Sequence, residues 1–100
     1  MDLENLIIAQ FSSILFGEIG KCLLRITADV DDKVLKVRFL VRESTSDEEL
    51  ERYSVCCTEL ISHHGNLIID EEYIKVEGVD HFNRISDLPL KIFSIHLGDL

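Results

Sequence analysis

The sequence predicts an α+β domain in which two helices pack on a sheet of about four strands, in the chain order α-β-β-α-β-β. Apolar residues recur at helical spacing in two segments, 3–15 and 47–64. The segments after each helix are rich in strand-forming residues, with turn formers between them. The sheet is expected to be antiparallel, or mixed where the second helix separates two strands. The 100 residues should form a single domain, 1–100, around one core.

The first helix is predicted over residues 3–15, where the apolar side chains share one helical face. Asp2 stands at the N-cap position, where a carboxylate can accept a hydrogen bond from an unpaired backbone amide. Gly17 follows the helix, where glycine favours the left-handed backbone of a C-terminal cap. Local signals therefore define both ends of this helix.

A β-hairpin is predicted from residues 22–28 and 34–41, with a turn at residues 30–33 that contains two aspartates. The second strand alternates apolar and basic side chains, which is typical of a sheet that is wet on one face. The apolar positions are Leu35, Val37, Phe39 and Val41, and the basic positions are Lys36, Arg38 and Arg42. We expect the basic side chains to face solvent or to pair with the acidic part of the chain.

The second helix is predicted to begin at a capping box formed by Ser46 and Glu49, and to end at Gly65 and Asn66. One face of this helix is apolar, and the opposite face is mainly acidic and polar. That outer face comprises Glu48, Glu51, Arg52, Val55, Thr58, Glu59 and Ser62. A helix of this kind covers a core with one side and presents carboxylates to solvent with the other.

The rest of the chain predicts two further strands. Residues 67–69 and 73–76 suit strand pieces, and the carboxylate triplet 70–72 between them is expected at a turn or bulge. Residues 78–88 are predicted to be a loop, and residues 90–97 a last strand.

Charge is strongly segregated along the chain, whose net charge is −9. Residues 43–77 carry ten carboxylates against Arg52 and Lys75, a net charge of −8. Residues 21–42 instead carry six basic side chains against three aspartates. An acidic surface steers basic partners towards it and repels polyanions. The composition therefore predicts a basic protein as partner and disfavours nucleic acid.

Cys56-Cys57 and His63-His64 form the one pattern in the sequence with metal-ligand chemistry. Each Cys is seven residues from the corresponding His, so on one helix their backbones lie roughly 10 Å apart, too far for one ion. We therefore expect no metal ion and no cofactor. Neighbouring carboxylates raise a thiol pKa, which predicts inert rather than catalytic cysteines.

No apolar run is long enough to span a bilayer, and Asp2 and Glu4 stand where a signal peptide would carry positive charge. These features predict a cytoplasmic protein without membrane contact. The three cysteines, an odd number, are accordingly expected to be reduced thiols.

Short motifs between residues 17 and 76 resemble those of small bacterial immunity proteins, in particular a group associated with contact-dependent growth-inhibition toxins. The similar motifs are Gly17-Glu18-Ile19, Leu24-Arg25, Val37-Arg38-Phe39, Ser46-Asp47-Glu48-Glu49-Leu50-Glu51, Thr58-Glu59-Leu60 and Ile69-Asp70-Glu71-Glu72. The resemblance implies a cytosolic, non-enzymatic protein that binds one cognate toxin domain, often a nuclease with a basic surface.

The charge pattern and the resemblance together predict an immunity protein that neutralises its toxin by electrostatic and steric blocking. We expect six carboxylates on the second helix and after it to bind lysine or arginine of the toxin. These residues are Glu48, Glu51, Glu59, Asp70, Glu71 and Glu72. Two alternatives stay open: a regulatory or assembly subunit with a basic protein partner, and a small-molecule enzyme that uses Cys57 or His64. The sequence predicts no oligomeric state.

Overall fold

The computed structural model describes residues 2–95 of the chain, which contain three helices and four strands. In chain order, these elements are α1 (Leu3–Leu15), β1 (Leu23–Asp31), β2 (Val34–Arg42), α2 (Asp47–Ile61), β3 (Ile68–Val76), α3 (Val79–Arg84) and β4 (Leu90–Ser94). The predicted α+β class is confirmed, with one helix more than expected.

The four strands form one mixed sheet in the order β3-β2-β1-β4. The β1-β2 hairpin is antiparallel, and β4 pairs antiparallel with β1. β3 pairs parallel with β2 because the chain crosses back through α2 before it returns to the sheet. The hairpin therefore occupies the centre of the sheet, and β3 and β4 are its edges.

Local signals set the starts of the two long helices as predicted. The Asp2 carboxylate accepts a hydrogen bond from the backbone N–H of Asn5 at 2.8 Å, and the Ser46 hydroxyl accepts one from the N–H of Glu49 at 3.1 Å. Gly17 adopts a φ of +85° just after α1, which a residue with a side chain rarely does. The Glu49 side chain, the other half of the capping box, is bound elsewhere, as described below.

The hairpin strands are longer than predicted, because they stay paired up to a two-residue turn at Asp32 and Lys33. Asp31 lies opposite Val34 in the register, so only two residues remain between the strands. Asp32 has a φ of +56°, a left-handed conformation that aspartate tolerates better than most residues.

The prediction of a turn or bulge at residues 70–72 is wrong. β3 continues through them without interruption and stays in register with β2 over its whole length. Asp70 lies opposite Lys36, and Glu72 lies opposite Arg38. Opposite charges on adjacent strands stabilise their pairing, and Lys36 and Arg38 of β2 both form ion pairs with Glu72, which favours a continuous strand here.

The prediction that residues 78–88 form only a loop is also wrong, because residues 79–84 form α3. Gly78 precedes it with a φ of +147°, a conformation that a side chain would strain. β4 begins at Leu90 as predicted and ends at Ser94. Residues 96–97, the end of the predicted last strand, lie outside the described residues.

The main core lies between the sheet and the pair of helices α1 and α2, and Phe39 of β2 is at its centre. Its ring meets Phe11 of α1 edge-on, with ring centroids 6.3 Å apart. It stacks on Tyr53 of α2 at 5.7 Å and on Tyr73 of β3 at 4.8 Å. The Phe39 ring therefore connects β2 to α1, α2 and β3. Such aromatic pairs stabilise the core in addition to the free energy gained from the buried area.

The opposite face of the sheet is not simply wet, contrary to the expectation from the alternation in β2. A second cluster of buried side chains lies there, formed by Leu24, Leu40, Val76 and Phe82. Phe82 belongs to α3, and the Arg25 guanidinium lies 4.4 Å from the centre of its ring. Arg25 also binds the Asp87 carboxylate at 2.9 Å. The segment that includes α3 thus forms a third layer, which arginine side chains of the sheet hold in place.

Truncation of Phe39 to alanine should destabilise the protein by about 3 to 5 kcal/mol. The substitution leaves a cavity between α1, α2 and β3, and these elements are held apart by their other contacts, so they cannot close it. Urea unfolding followed by circular dichroism measures this loss. Val55→Ala is the matched control, since the Val55 side chain is exposed on α2 and its loss should change the free energy of unfolding by less than about 0.5 kcal/mol. Equal effects of the two substitutions would contradict a core centred on Phe39.

Candidate functional site

The outer face of α2 carries a row of exposed carboxylates. Glu48, Glu51 and Glu59 are all exposed, and their carboxylates form no ion pair or hydrogen bond within residues 2–95. Eleven residues separate the first from the last, so at the helical rise the row is roughly 16 Å long. Val55 lies within the row and is 57% exposed. The face is therefore mainly acidic, with Val55 in its middle and beside it the cation Arg52, whose guanidinium lies 3.9 Å from the Glu49 carboxylate.

The three predicted carboxylates of β3 do not join this row as one group. Asp70 is exposed, and its carboxylate has no ion pair or hydrogen bond within residues 2–95. Glu71 points to the helical side, where it accepts hydrogen bonds from the hydroxyls of Tyr73 at 2.5 Å and Ser54 at 3.3 Å. Alternation along the strand places Asp70 and Glu72 on the other face of the sheet.

Glu72 is largely neutralised by basic side chains of β2. Its carboxylate lies 2.7 Å from Arg38 Nε and 3.7 Å from Lys36 Nζ. Arg38 also donates to the backbone carbonyl of Ser86 at 2.6 Å. The expected pairing of the basic strand with the acidic region is therefore confirmed at this carboxylate. The structure thus brings Glu48, Glu51 and Glu59 together and leaves the other three predicted residues apart from them.

The buried carboxylate of Glu49 fixes the loop beside the outer face of α2. This residue was not among those predicted to bind a partner. Glu49 is only 9% exposed and accepts a hydrogen bond from the Tyr53 hydroxyl at 2.7 Å. The Tyr53 oxygen in turn accepts one from the backbone N–H of Gly20 at 3.1 Å. Burial, and then the hydrogen bond to Glu49, raise the pKa of the Tyr53 phenol, so it stays a donor. This Gly20-Tyr53-Glu49 chain attaches the end of the α1-β1 loop to α2.

The connection between α1 and β1 spans residues 16–22. Its first part, residues 16–20, is called the α1-β1 loop here and lies along the side of α2 that carries Cys56. Burial raises the pKa of the Cys56 thiol, and the nearby carboxylates of Glu18 and Glu59 raise it further. Glu18 of the loop and Glu59 of the helix therefore both act electrostatically on the same cysteine. Phe16, at the start of the loop, is 88% exposed, and Ile19 is 39% exposed. The sequence did not predict that this loop belongs to the candidate site, because no local pattern indicates that an apolar residue after a helix stays exposed to solvent.

The residues named for a small-molecule enzyme lie away from the cleft of the described surface. That cleft has a volume of about 340 Å³. It is lined by Leu24, Arg42, Glu43, Ser44, Val76, Glu77, Gly78 and Val79. Cys57 is instead fully buried, and burial followed by the effect of Glu71 raises the pKa of its thiol. The His64 Nε2 atom lies 2.6 Å from the Gln10 side-chain oxygen, between α2 and α1.

Within residues 2–95, no three side chains of His, Cys, Asp or Glu are grouped as metal ligands. In the same part of the chain, no helix is long and apolar enough to cross a membrane.

Comparison with models of known protein families identifies the family of this chain. The model of the MafI2 immunity protein family matches residues 4–94. The chain belongs to the MafI2 immunity protein family. The match extends from α1 to β4, so it contains the acidic face of α2 and the α1-β1 loop. No curated protein matches this MafI2 family member as a relative.

Membership of the MafI2 immunity protein family confirms the predicted resemblance to small toxin-immunity proteins. It gives the functional class, immunity to a toxin, and a cognate toxin protein as the kind of partner. The more specific association with contact-dependent growth inhibition stays a prediction. In this MafI2 family member, the exposed carboxylates of α2 and the neighbouring loop form the candidate binding surface.

Gly20→Ala should destabilise the protein by about 1 to 3 kcal/mol, because the new Cβ would lie 2.8 Å from the Glu49 carboxylate and displace it from Tyr53. Gly65→Ala is the control, since a Cβ there meets no atom within 4 Å. In a Glu49→Ala background, the cost of Gly20→Ala should shrink, which a double-mutant cycle of urea unfolding measures. Equal costs in the two backgrounds would show that the carboxylate is not the obstacle.

Stability should fall as the pH rises above 9, the ordinary pKa of the thiols. The Cys57 pKa is raised in the folded protein, so above pH 9 the thiol ionises when unfolded and stays protonated when folded. The stabilisation is thus complete below pH 9 and is lost at up to about 1.4 kcal/mol per pH unit above it. Urea unfolding between pH 7.5 and 10 should give a steeper decline for the natural chain than for Cys57→Ala. Identical pH dependence would contradict the burial of this thiol.

Proposed function

We propose that this member of the MafI2 family neutralises its toxin in the cytoplasm by covering a basic surface of the toxin domain with the outer face of α2. The observation that carries the proposal is the row of Glu48, Glu51 and Glu59, whose exposed carboxylates form no ion pair within residues 2–95. Family membership supplies the kind of partner, and the charge supplies the surface.

The distribution of ion pairs supports α2 rather than the sheet as the docking face. The basic side chains of Arg25, Lys36 and Arg38 bind carboxylates of the same chain. Glu71 and Glu72 already accept hydrogen bonds or ion pairs, so a partner would have to displace those contacts to use them. Asp70 is free of such contacts within residues 2–95 but lies across the sheet edge from α2. We therefore place Glu48, Glu51 and Glu59 at the centre of the proposed interface and Asp70 at its margin.

A nuclease is the class of toxin that best fits an acidic inhibitor. An enzyme that binds a polyanionic substrate carries a basic surface, and an acidic helix of this length can cover it and exclude the substrate. Opposite potentials on the two proteins accelerate their encounter, which matters where few toxin molecules are lethal. Delivery of the toxin by contact-dependent growth inhibition is the setting that the sequence motifs support.

Reversal of two charges on α2 tests this proposal. Glu51→Lys with Glu59→Lys should slow association with the toxin domain by about tenfold or more at low salt and flatten its dependence on ionic strength. Asp31→Lys with Glu77→Lys is the control, because it changes the net charge equally at exposed positions outside α2. Stopped-flow or surface plasmon resonance measures both rates.

Equal rates for the two double variants would contradict docking through α2. The proposed function itself is tested by co-expression with the active cognate toxin domain. The natural chain should restore growth, and failure to protect the cells would overturn the proposal. Glu48 is left unchanged because its charge also stabilises the first turn of the helix.

A further inference from the structure

Phe16 differs from every other aromatic residue of the chain. The sequence contains five phenylalanines and two tyrosines. Phe11, Phe39, Tyr53 and Phe82 are buried, and Tyr73 and Phe93 pack against the main core. Phe16 is 88% exposed, although burial of a large apolar side chain stabilises a folded protein. The free chain therefore gains little from the Phe16 ring, whereas a partner that buried it would gain the free energy of that burial.

The backbone that carries Phe16 is held in place by hydrogen bonds. The Phe16 N–H donates to the carbonyl of Ser13 at 3.2 Å, and the Glu18 N–H donates to the carbonyl of Leu15 at 2.8 Å. The Gly20 N–H donates to the Tyr53 hydroxyl at 3.1 Å. An exposed residue on a loop that is already ordered loses less conformational entropy on binding than one on a mobile loop.

The surroundings of Phe16 define the chemistry of what would cover it. Glu18 lies two residues further along the loop, and Gly20, two residues beyond it, donates a hydrogen bond to the Tyr53 hydroxyl of α2. The carboxylates of Glu18 and Glu59 both raise the pKa of the Cys56 thiol on α2. The loop therefore borders the acidic row of α2 and continues it with an apolar residue. A complementary surface combines an apolar pocket with surrounding lysine or arginine side chains. A second copy of this acidic chain would instead meet like charge.

We propose that Phe16 is the anchor of the toxin interface: its ring enters an apolar pocket in the basic surface of the toxin domain, and Glu18 and Glu59 pair with basic residues at the rim of that pocket. This inference rests on the proposed function and adds the residue that determines how long the complex lasts. Desolvated aromatic anchors dominate the affinity of protein interfaces, whereas rim charges mainly set the association rate.

The test compares Phe16→Ala with Ile68→Ala, which removes an exposed apolar side chain from β3. Ile68 lies at the opposite end of the sheet from the loop, because it pairs with Val34 at the start of β2, whereas Leu23 after the loop pairs with Val41. The probe is the cognate toxin domain in catalytically inactivated form, immobilised for surface plasmon resonance. Phe16→Ala should raise the dissociation rate by about tenfold or more and change the association rate less than twofold. Ile68→Ala should change neither rate by more than about twofold, and Phe16→Leu should retain part of the lifetime of the complex. Urea unfolding verifies that the variants are as stable as the natural chain.

Three results are distinguishable. A shortened lifetime for Phe16→Ala alone supports the anchor. A complex of normal lifetime with Phe16→Ala overturns the anchor but leaves the proposed function intact, since the natural chain still binds and protects. Absence of binding and of growth protection by the natural chain overturns the proposed function and the anchor together.

Discussion

Tyr53 provides the interaction on which the rest of the structure depends. Its ring stacks on Phe39 in the main core, and its hydroxyl connects the buried Glu49 carboxylate to the backbone of Gly20. A buried carboxylate without a donor would be strongly destabilising, so the hydroxyl cannot be lost without consequence. Through this side chain, the packing of α2 on the sheet also sets the position of the α1-β1 loop. The core and the candidate surface are therefore parts of one arrangement.

The acidic residues of the chain have two different roles. Some belong to the fold: Glu72 binds β2, Glu71 fills the space between β3 and α2, and Glu49 fixes the loop. A charged side chain that points towards the helices also makes the exposed edge of β3 less apt to pair with a foreign strand. On the outer face of α2, Glu48 also stabilises the first turn of the helix, whereas the carboxylates of Glu51 and Glu59 form no ion pair or hydrogen bond within residues 2–95. The net charge alone does not distinguish these two groups, whereas the contacts do.

Much of the fold could be predicted because its signals are local. The caps at Asp2 and Ser46 and the alternation in β2 each lie within a few residues of what they determine. The strand through residues 70–72 could not be predicted, because the basic side chains that neutralise it lie 34 residues earlier, as at Arg38 and Glu72. α3 has six residues, too few for helical periodicity to show.

The candidate site was predictable to a similar degree and for the same reason. Helical spacing correctly grouped the outer carboxylates of α2, since that pattern is local. The contact between Gly20 and Tyr53 spans 33 residues, so neither the burial of Glu49 nor the fixed position of Phe16 had a sequence signal. Long-range contacts therefore place an aromatic residue at the border of the charged face, which the charge pattern of the sequence does not show.

Cross-saturation NMR on the isotopically labelled chain, in complex with its unlabelled toxin domain, tests the central claim most directly. The method identifies the amides that lie against the partner, and an 11.4 kDa chain is well suited to it. Saturation should be concentrated in residues 16–20 and on the outer face of α2. Saturation concentrated instead in residues 79–94, with α2 unaffected, would contradict that claim.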